Sequence, residues 1–238
     1  MEVTAEEKTV HEVNDGDYVQ YLIVSNHHHP LSNSIMSAIS RVQFRRVDNV
    51  TIQDICAADL VLIVDYGLEE VEFSNLNKKL AHKQGQFRLA ICLHPDHINR
   101  WYTGVDSVFL TKGDTEQRRI INGLIESIEL QGLICVDFAD IYSVFCNMQQ
   151  SFFYQGISEG KWRVIGAIDE AIEKRSFDCK TAMIILYSGL DFTLDEFEMA
   201  VNYFSTKITE DVCCVFAHRL DPDRLYAGKF EVMIFINE

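Results

Sequence analysis

Apolar residues form a continuous run in one segment of the chain and alternate with other residues in another, and both patterns predict β-strands. The continuous apolar run Leu60–Val64 is typical of a strand that is covered on both faces. In the last apolar segment, Phe230, Val232, Ile234 and Ile236 alternate with other residues, so we expect them to face one way. Further strands are predicted at Tyr18–Ser25, Arg88–Leu93, Ser107–Leu110, Ser151–Gln155, Thr181–Tyr187, Val212–His218 and Lys229–Ile236.

Apolar residues at helical spacing predict a long helix at Thr115–Leu130. Asp114 is expected to cap its N-terminus, with Gln117 at the third helical position, and Gly132 is placed to end it. A second capping box, Thr193 with Glu196, opens another predicted helix. Helices are also predicted at Leu31–Ile39, Phe73–Lys83, Asp137–Met148, Lys161–Lys174 and Thr193–Lys207.

The order of these elements predicts an α/β fold with two different halves. In the first half, strands alternate with helices, which indicates βαβ units and a parallel, Rossmann-like sheet. In the second half, helices packed on one face of a small mixed sheet fit the order. We therefore expect an α/β domain at residues 1–113, a central helix at 114–131 and an α+β domain at 132–238.

The charge of the chain limits the partners that it can bind. Acids outnumber bases by 36 to 21, which gives a net charge of -15. Such a field repels nucleic acid and anionic lipid, so we expect neither as a partner. The basic cluster of Arg41, Arg45 and Arg46 is too small to reverse it. Solubility is the simpler explanation of the acidity.

The cysteines indicate a reducing compartment. There are seven, no C-x-x-C pattern occurs, and several lie in apolar runs, so we expect buried, reduced thiols. No signal peptide opens the chain and no apolar run reaches membrane-spanning length. These features predict a cytoplasmic protein.

Residues 132–141, with the sequence GLICVDFADI, combine several polar groups at the start of a predicted helix. Asp137 and Asp140 stand three apart, which suits a helix cap and an interaction site equally well. Cys135 has no base near it in sequence, so a buried thiol is favoured over a nucleophile. His27–His29 are adjacent residues that seldom point at one ion, so we expect a solvated loop and no metal site.

The same ten residues resemble the catalytic loop of FtsZ, whose form is close to GLINVDFADV. Residues 188–198, SGLDFTLDEFE, are similar to the family's TAGFDLRLDEFE, residues 156–160 resemble GVASG, and residues 220–223 repeat its LDPD turn. The first half is related more faintly, at residues 21–33, 57–64, 89–95 and 105–108. The chain is thus identified as a divergent member of the tubulin/FtsZ superfamily, which implies that fold with a shortened first half.

In that family the loop projects from one subunit into the GTP pocket of the next. The resemblance implies that Asp137 and Asp140 match the two acids that act on the neighbouring nucleotide. Where the family has an asparagine, this chain has Cys135, and a thiol cannot replace an amide's donor and acceptor. We therefore expect docking to be kept and catalysis to be lost.

The phosphate-binding loops of the family are glycine-rich, because only glycine lets successive N–H groups approach an anion. At the first loop this chain has the sequence NHHHP at residues 26–30, and Pro30 has no N–H. At the second loop Glu69, Glu70 and Glu72 would repel a triphosphate. Asn33 and Asp114 survive as isolated matches to nucleotide-contacting positions. We predict that GTP binding is lost and that no cofactor is held.

These features predict a non-catalytic FtsZ-like protein that binds or caps cell-division filaments through residues 132–141. Its partner would be FtsZ or an FtsZ-like filament subunit. The chain ends at Glu238 without the family's membrane-recruiting tail, so no membrane partner is expected. One alternative is a structural protein that assembles with itself, as a homo-oligomer, without nucleotide. The last alternative is a diverged GTPase with a rebuilt pocket.

Overall fold

The computed structural model describes residues 18–27, 41–82, 85–101, 103–130, 132–146, 150–173, 179–209, 211–220 and 228–237. The strands in them are β1 (Tyr21–Ser25), β2 (Val42–Arg46), β3 (Leu60–Asp65), β4 (Phe87–Cys92), β5 (Ser107–Leu110), β6 (Gln150–Glu159), β7 (Thr181–Ser188), β8 (Cys213–Leu220) and β9 (Lys229–Asn237). The helices are α1 (Ile52–Cys56), α2 (Glu70–Leu80), α3 (Ile98–Trp101), α4 (Asp114–Glu129), α5 (Phe138–Phe145), α6 (Arg163–Ile172) and α7 (Leu194–Ser205).

The described strands form one sheet in the order β2-β1-β3-β4-β5-β6-β9-β7-β8. β9 runs antiparallel to both of its neighbours, and the other pairs are parallel. The parallel part and the mixed part that the sequence predicts are therefore both present. They join where β5 pairs with β6 through Val108–Gln150 and Phe109–Ser151.

Both faces of this sheet are covered by helices. On one face a single apolar cluster takes residues from β1, β3, β4, β5, β7 and β9, and α4 and α5 complete it. On the other face α1, α2 and α3 cover the first half, while α6 and α7 cover the second. The central helix α4 thus contacts both halves, as its apolar stripe predicts. In β9, Phe230, Val232, Ile234 and Ile236 do share one face, and Met233 and Phe235 are buried on the other.

Four neighbouring strands of the sheet are also linked by buried polar side chains. Ser107 on β5 contacts Ser151 on β6 at 2.5 Å between hydroxyl oxygens, and Ser151 donates to the Asn237 amide oxygen on β9. The Asn237 amide donates to the Thr181 hydroxyl on β7 at 2.6 Å. The Thr181 hydroxyl then donates to the Val144 carbonyl near the end of α5, at 2.7 Å. Because these groups are buried, the bonds supply partners that water would otherwise provide.

Several elements depart from the sequence prediction. No element was expected at β2, α1 or α3, and β6 extends four residues beyond Gln155. The predicted cap of α4 is wrong, because Gly113 holds the N-cap position and Asp114 is already helical. Gln117 faces the interior, wholly buried, and neither of its amide atoms has a hydrogen-bond partner among the described residues. Residues 1–17 and the predicted helix Leu31–Ile39 lie outside the described residues.

The packing of β6 against α6 requires glycine at position 156. A Cβ at Gly156 would lie 2.0 Å from the Ala167 carbonyl oxygen and 2.6 Å from the Ala171 nitrogen. Backbone atoms cannot move aside as side chains do, so Gly156→Ala is expected to lower the free energy of unfolding by about 3 kcal/mol.

Urea unfolding measures this effect, and Gly113→Ala is the control. A Cβ at Gly113 meets nothing within 4 Å, and its φ of 164° is extended backbone. We expect the control to cost at most about 1 kcal/mol, as a poorer N-cap. Equal losses in the two variants would contradict this account of β6 and α6.

Candidate functional site

The carboxyl ends of β1, β3 and β4 meet at one edge of the sheet, because these strands are parallel. In open α/β sheets this edge is where ligands bind. We call residues 25–27, 65–69 and 93–97 the strand-end edge. The residues at its centre follow β3 directly, and a buried carboxylate organises them.

That carboxylate is Asp65, the last residue of β3, which is fully buried. Its Oδ1 accepts hydrogen bonds from the backbone N–H groups of Gly67 at 2.8 Å and Leu68 at 2.7 Å. Its Oδ2 accepts from Arg100 Nη2 at 2.8 Å and from Trp101 Nε1 at 2.9 Å, and it lies 3.2 Å from His97 Nδ1. Both oxygens are therefore satisfied by groups of the chain itself.

Burial alone would raise the pKa of Asp65. Hydrogen bonds from the Leu68 N–H, the Trp101 indole, the Arg100 guanidinium and the Gly67 N–H outweigh it, so the pKa lies below its ordinary value of 3.8. The carboxylate is accordingly charged at neutral pH. It places a fixed negative charge at the strand-end edge, where an anionic ligand would need positive potential.

Two more backbone donors of the same turn are occupied. The Tyr66 N–H donates to Asn26 Oδ1 at 3.2 Å, and the Glu69 N–H donates to Glu72 Oε2 at 3.1 Å. Four consecutive N–H groups, 66 to 69, thus already have acceptors within the chain. A phosphate cradle needs such groups free and converging on the anion. The described residues at this turn therefore do not fit a bound nucleotide phosphate.

Side chains crowd the same turn. Gly67 has a φ of +99°, and a Cβ there would lie 3.3 Å from the His94 ring. The His27 ring packs on Tyr66 with 5.1 Å between ring centroids. His27 is exposed, as expected of a solvated loop, whereas His28, His29, Pro30 and the matched Asn33 lie outside the described residues.

Asp114, the other matched position, is an exposed residue in the first turn of α4. The cavity beside it, with a volume of about 500 Å³, opens between the start of α4, β6 and α6 instead of towards Gly67. Acids dominate the charged lining, which consists of Lys112, Asp114, Glu116, Glu170 and Glu173. This cavity is therefore a poor place for a nucleotide phosphate.

Residues 132–141, which we call the docking loop, follow the other end of α4. The helix rises about 1.5 Å per residue, so its 16 residues separate the two regions by about 24 Å. Leu133 is 61% exposed, and Cys135 is exposed as well. The prediction of a buried Cys135 thiol is wrong, because the chain turns outward here before Val136 returns to the core. No two of the described cysteines form a disulfide.

Asp137 and Asp140 form a reciprocal cap at the start of α5. The Asp140 N–H donates to Asp137 Oδ1, and the Asp137 N–H donates to Asp140 Oδ2, both at 2.9 Å. Asp137 is nevertheless exposed and Asp140 is half-buried. Capping uses one oxygen of each carboxylate, so the other oxygen of each stays available to a partner.

His218 on β8 anchors the docking loop from beneath. It is 2% exposed, its Nδ1 accepts from the Leu133 N–H at 3.2 Å, and its Nε2 lies 2.8 Å from Ser188 Oγ. The backbone N–H of His218 donates to the Ile134 carbonyl at 2.9 Å. Burial and the nearby Arg219 lower the pKa of His218 from 6.5 to about 4, so the ring is neutral at physiological pH.

Sequence reasoning missed both Asp65 and His218. Asp65 carried a usable signal, since an acid that directly ends a continuous apolar strand must find donors at the strand-end edge. His218 carried none, because its partners come from residues 85 and 30 positions earlier in the chain.

Among the described residues, no group of three or more His, Cys, Asp or Glu side chains lies close enough together to hold a metal ion. No helix in the described part of the chain is both long and apolar enough to cross a membrane.

Comparison with solved structures identifies the fold. It is similar to that of a point mutant of FtsZ from M. jannaschii, with a TM-score of 0.77 and 15% identity over 92% of this chain and 91% of the other. An empty FtsZ dimer from M. jannaschii matches with the same TM-score and identity, over 93% and 88% of the two chains. No protein-family model matches the sequence.

Sequence comparison agrees with the fold. FtsZ of Buchnera aphidicola (subspecies Schizaphis graminum) is 30% identical over 109 residues, which cover 43% of this chain and 28% of the relative. FtsZ of Wolbachia pipientis is 28% identical over 165 residues, 67% of this chain and 49% of the relative. The chain is therefore similar to FtsZ in sequence over part of its length and has the fold of FtsZ, which supports a protein of the tubulin/FtsZ superfamily. It aligns with only about a quarter to a half of the length of these curated relatives.

The lowered pKa of His218 makes stability depend on pH in a defined direction. The unfolded chain binds the proton near pH 6.5 and the folded chain only near pH 4, so acid favours unfolding. The stability that comes from keeping the His218 ring neutral is fully present above pH 6.5. It is lost progressively as the pH falls, so the free energy of unfolding is lower by about 3 kcal/mol at pH 4.

Urea unfolding of the wild type and of His218→Asn between pH 7 and pH 4 checks this. Because the variant lacks the titrating ring, its free energy of unfolding should fall by ~3 kcal/mol less than that of the wild type over this pH range. Parallel pH profiles for the two proteins would show that His218 is not a neutral buried ring.

Proposed function

We propose that this chain is a non-catalytic, cytoplasmic FtsZ-like protein that binds or caps cell-division filaments through the docking loop. The observation that carries the proposal is the occupied turn at residues 66–69. Its four N–H groups bond to Asn26, Asp65 and Glu72, while Leu133, Cys135 and Asp137 of the docking loop, at the other end of α4, are exposed. The docking loop is thus accessible to a neighbour, whereas the N–H groups of residues 66–69 are already occupied within the chain.

Charge supports one-sided binding. Glu69 and Glu70 are exposed beside the strand-end edge, and Asp114 is exposed at the start of α4. A triphosphate placed there would meet like charge, at a cost on the order of 1–4 kcal/mol for each contact near 4 Å. A second copy that stacked its own Asp137 on this edge would meet the same repulsion. Growth beyond this subunit is therefore disfavoured, which is how a filament cap acts.

The surroundings of the docking loop support contact with a partner. A cavity of about 560 Å³ lies between residues 136–139 of this loop, the last residues of α4, and residues 18, 19 and 41. Arg41 pairs there with Glu129 and covers the Tyr18 ring, with 3.9 Å between its Cζ and the ring centroid. The aromatic ring, the Arg41–Glu129 pair and the exposed Leu133 give this surface the mixture that protein interfaces favour.

Direct titration with fluorescent GTP tests the nucleotide half of the proposal. No saturable binding is expected at micromolar nucleotide, because the donors at residues 66–69 are occupied and Asp65 is charged. Micromolar binding would overturn this half and would favour the diverged GTPase. An authentic FtsZ serves as the positive control.

Co-sedimentation with filaments of an FtsZ from the same cell tests the docking half. The wild-type chain is expected to pellet with filaments or to reduce the polymer that forms. The double variant Asp137→Asn, Asp140→Asn keeps carbonyl oxygens for the cap and removes only the charges, so its fold is retained. We expect its apparent affinity to fall at least about tenfold, or ~1.4 kcal/mol.

Asp48→Asn is the matched control, because it removes an exposed charge on the turn after β2, away from the docking loop. Equal binding by the double variant and the control would show that the loop acids serve only as a cap.

A second candidate is nucleotide-independent self-assembly, and the similarity to an empty FtsZ dimer favours it. In this case the chain would pellet by itself, without GTP and without a partner. The same sedimentation experiment separates the two candidates, since a filament cap is expected to stay in the supernatant when alone.

A further inference from the structure

The hydrogen bonds around His218 assign its tautomer. The Leu133 backbone N–H can only donate, so His218 Nδ1 must carry a lone pair. Nε2 therefore bears the proton of the neutral ring and donates it to Ser188 Oγ. The Ser188 hydroxyl then donates to the Gly189 carbonyl at 3.2 Å. In this tautomer the ring cannot accept the Ser188 proton, so the pair is not an activated nucleophile.

Packing fixes the ring as firmly as its hydrogen bonds do. The Phe192 ring stacks on His218 with 4.3 Å between centroids and 10° between planes. From the docking loop, Gly132 comes so close that a Cβ there would lie 1.6 Å from the His218 carbonyl oxygen. The loop, β7 and β8 are thus held together at one buried residue.

The docking loop has few other means of holding its shape between α4 and α5. Leu133 and Cys135 both point into solvent, so they bury little area that would order the chain. The Cys135 thiol makes only a long contact, 3.6 Å, to the Gly132 carbonyl within the loop. Between α4 and the cap, the loop is held by the buried Val136 and by two hydrogen bonds with His218. The ring accepts from the Leu133 N–H, and the His218 backbone N–H donates to the Ile134 carbonyl, so only the first bond depends on the side chain.

We propose that His218 is a positioning residue, which holds the docking loop in the conformation that meets the filament partner. The identity of the filament partner in this inference rests on the proposed function. The positioning itself concerns only the loop and can be measured on the isolated chain. The amide hydrogen of Leu133 is the reporter, because it bonds to the His218 ring.

Two substitutions separate the two hydrogen bonds of the ring, the one with Leu133 and the one with Ser188. In His218→Asn the amide oxygen takes the place of Nδ1, so the bond from the Leu133 N–H can be kept. In His218→Gln the longer side chain reaches towards Ser188, but no acceptor remains near Leu133. Both variants leave part of the ring volume empty, so both are expected to lose global stability to a similar degree.

The expected result is a split between the two variants. In His218→Gln, amide exchange at Leu133, measured by mass spectrometry, should rise at least tenfold. In His218→Asn the exchange rate should stay within about threefold of the wild type. Filament binding should fall in the variant whose docking loop exchanges faster, and it should not follow the melting temperature. Equal rates in the two variants would overturn the proposal.

A second pair of variants distinguishes loosening of the docking loop from a general loss of stability. Leu133→Ala and Leu133→Pro both remove the exposed side chain, but only proline removes the N–H that His218 accepts. Faster amide exchange at residues 134–136 in the proline variant alone supports the proposal, and equal exchange in the two variants contradicts it. If the loop loosens as expected while the wild type binds no filament, the positioning role stands and the proposed function fails. If loosened variants bind filaments as the wild type does, the positioning role for docking is wrong and the proposed function stands.

Discussion

The Asp65 carboxylate is the interaction on which the strand-end edge depends. It lies at the end of a buried strand and takes two backbone N–H groups, an indole N–H and a guanidinium. A buried charge without such partners would be costly, so the turn after β3 must close around it. The backbone N–H groups of Gly67 and Leu68 therefore bond to a carboxylate of the chain itself, and those of Tyr66 and Glu69 bond to Asn26 and Glu72.

The central helix α4 sets the distance between this edge and the docking loop. Its first turn lies near Tyr66, since the charge of Asp114 adds to burial in raising the pKa of that tyrosine. Its last turn receives Tyr21 and Arg41 through Glu129, and the docking loop follows directly. Gly123, in the middle, lets the helix approach β7 and β9 closely, since a Cβ there would lie 3.1 Å from Met233 Sδ. The two ends are thus parts of one rigid core.

Pattern in the sequence was a good guide wherever burial imposes a period. The apolar stripe of α4 and the alternation in β9 were both found, because each faces a packed core on defined sides. β2 was not found, since it is a short outer strand with Gln43, Arg45 and Arg46 among its five residues. α1 was also missed, although its Thr51–Asp54 capping box is visible in the sequence. The position of Asp65 at the end of an apolar strand was a signal that went unused, although Arg100 and Trp101 are brought to it only by the fold. His218 could not be assigned a role, because its partners Leu133 and Ser188 are distant in the chain.

The buried chain of Ser107, Ser151, Asn237 and Thr181 has a mechanical consequence. It crosses the junction of the two halves, where the backbone ladder between β5 and β6 spans only two residue pairs. A twist of one half against the other would break these bonds in a region that water does not reach, and each orphaned group costs roughly 1–3 kcal/mol. Rotation of one half against the other at this junction is therefore costly, although few backbone bonds join β5 to β6.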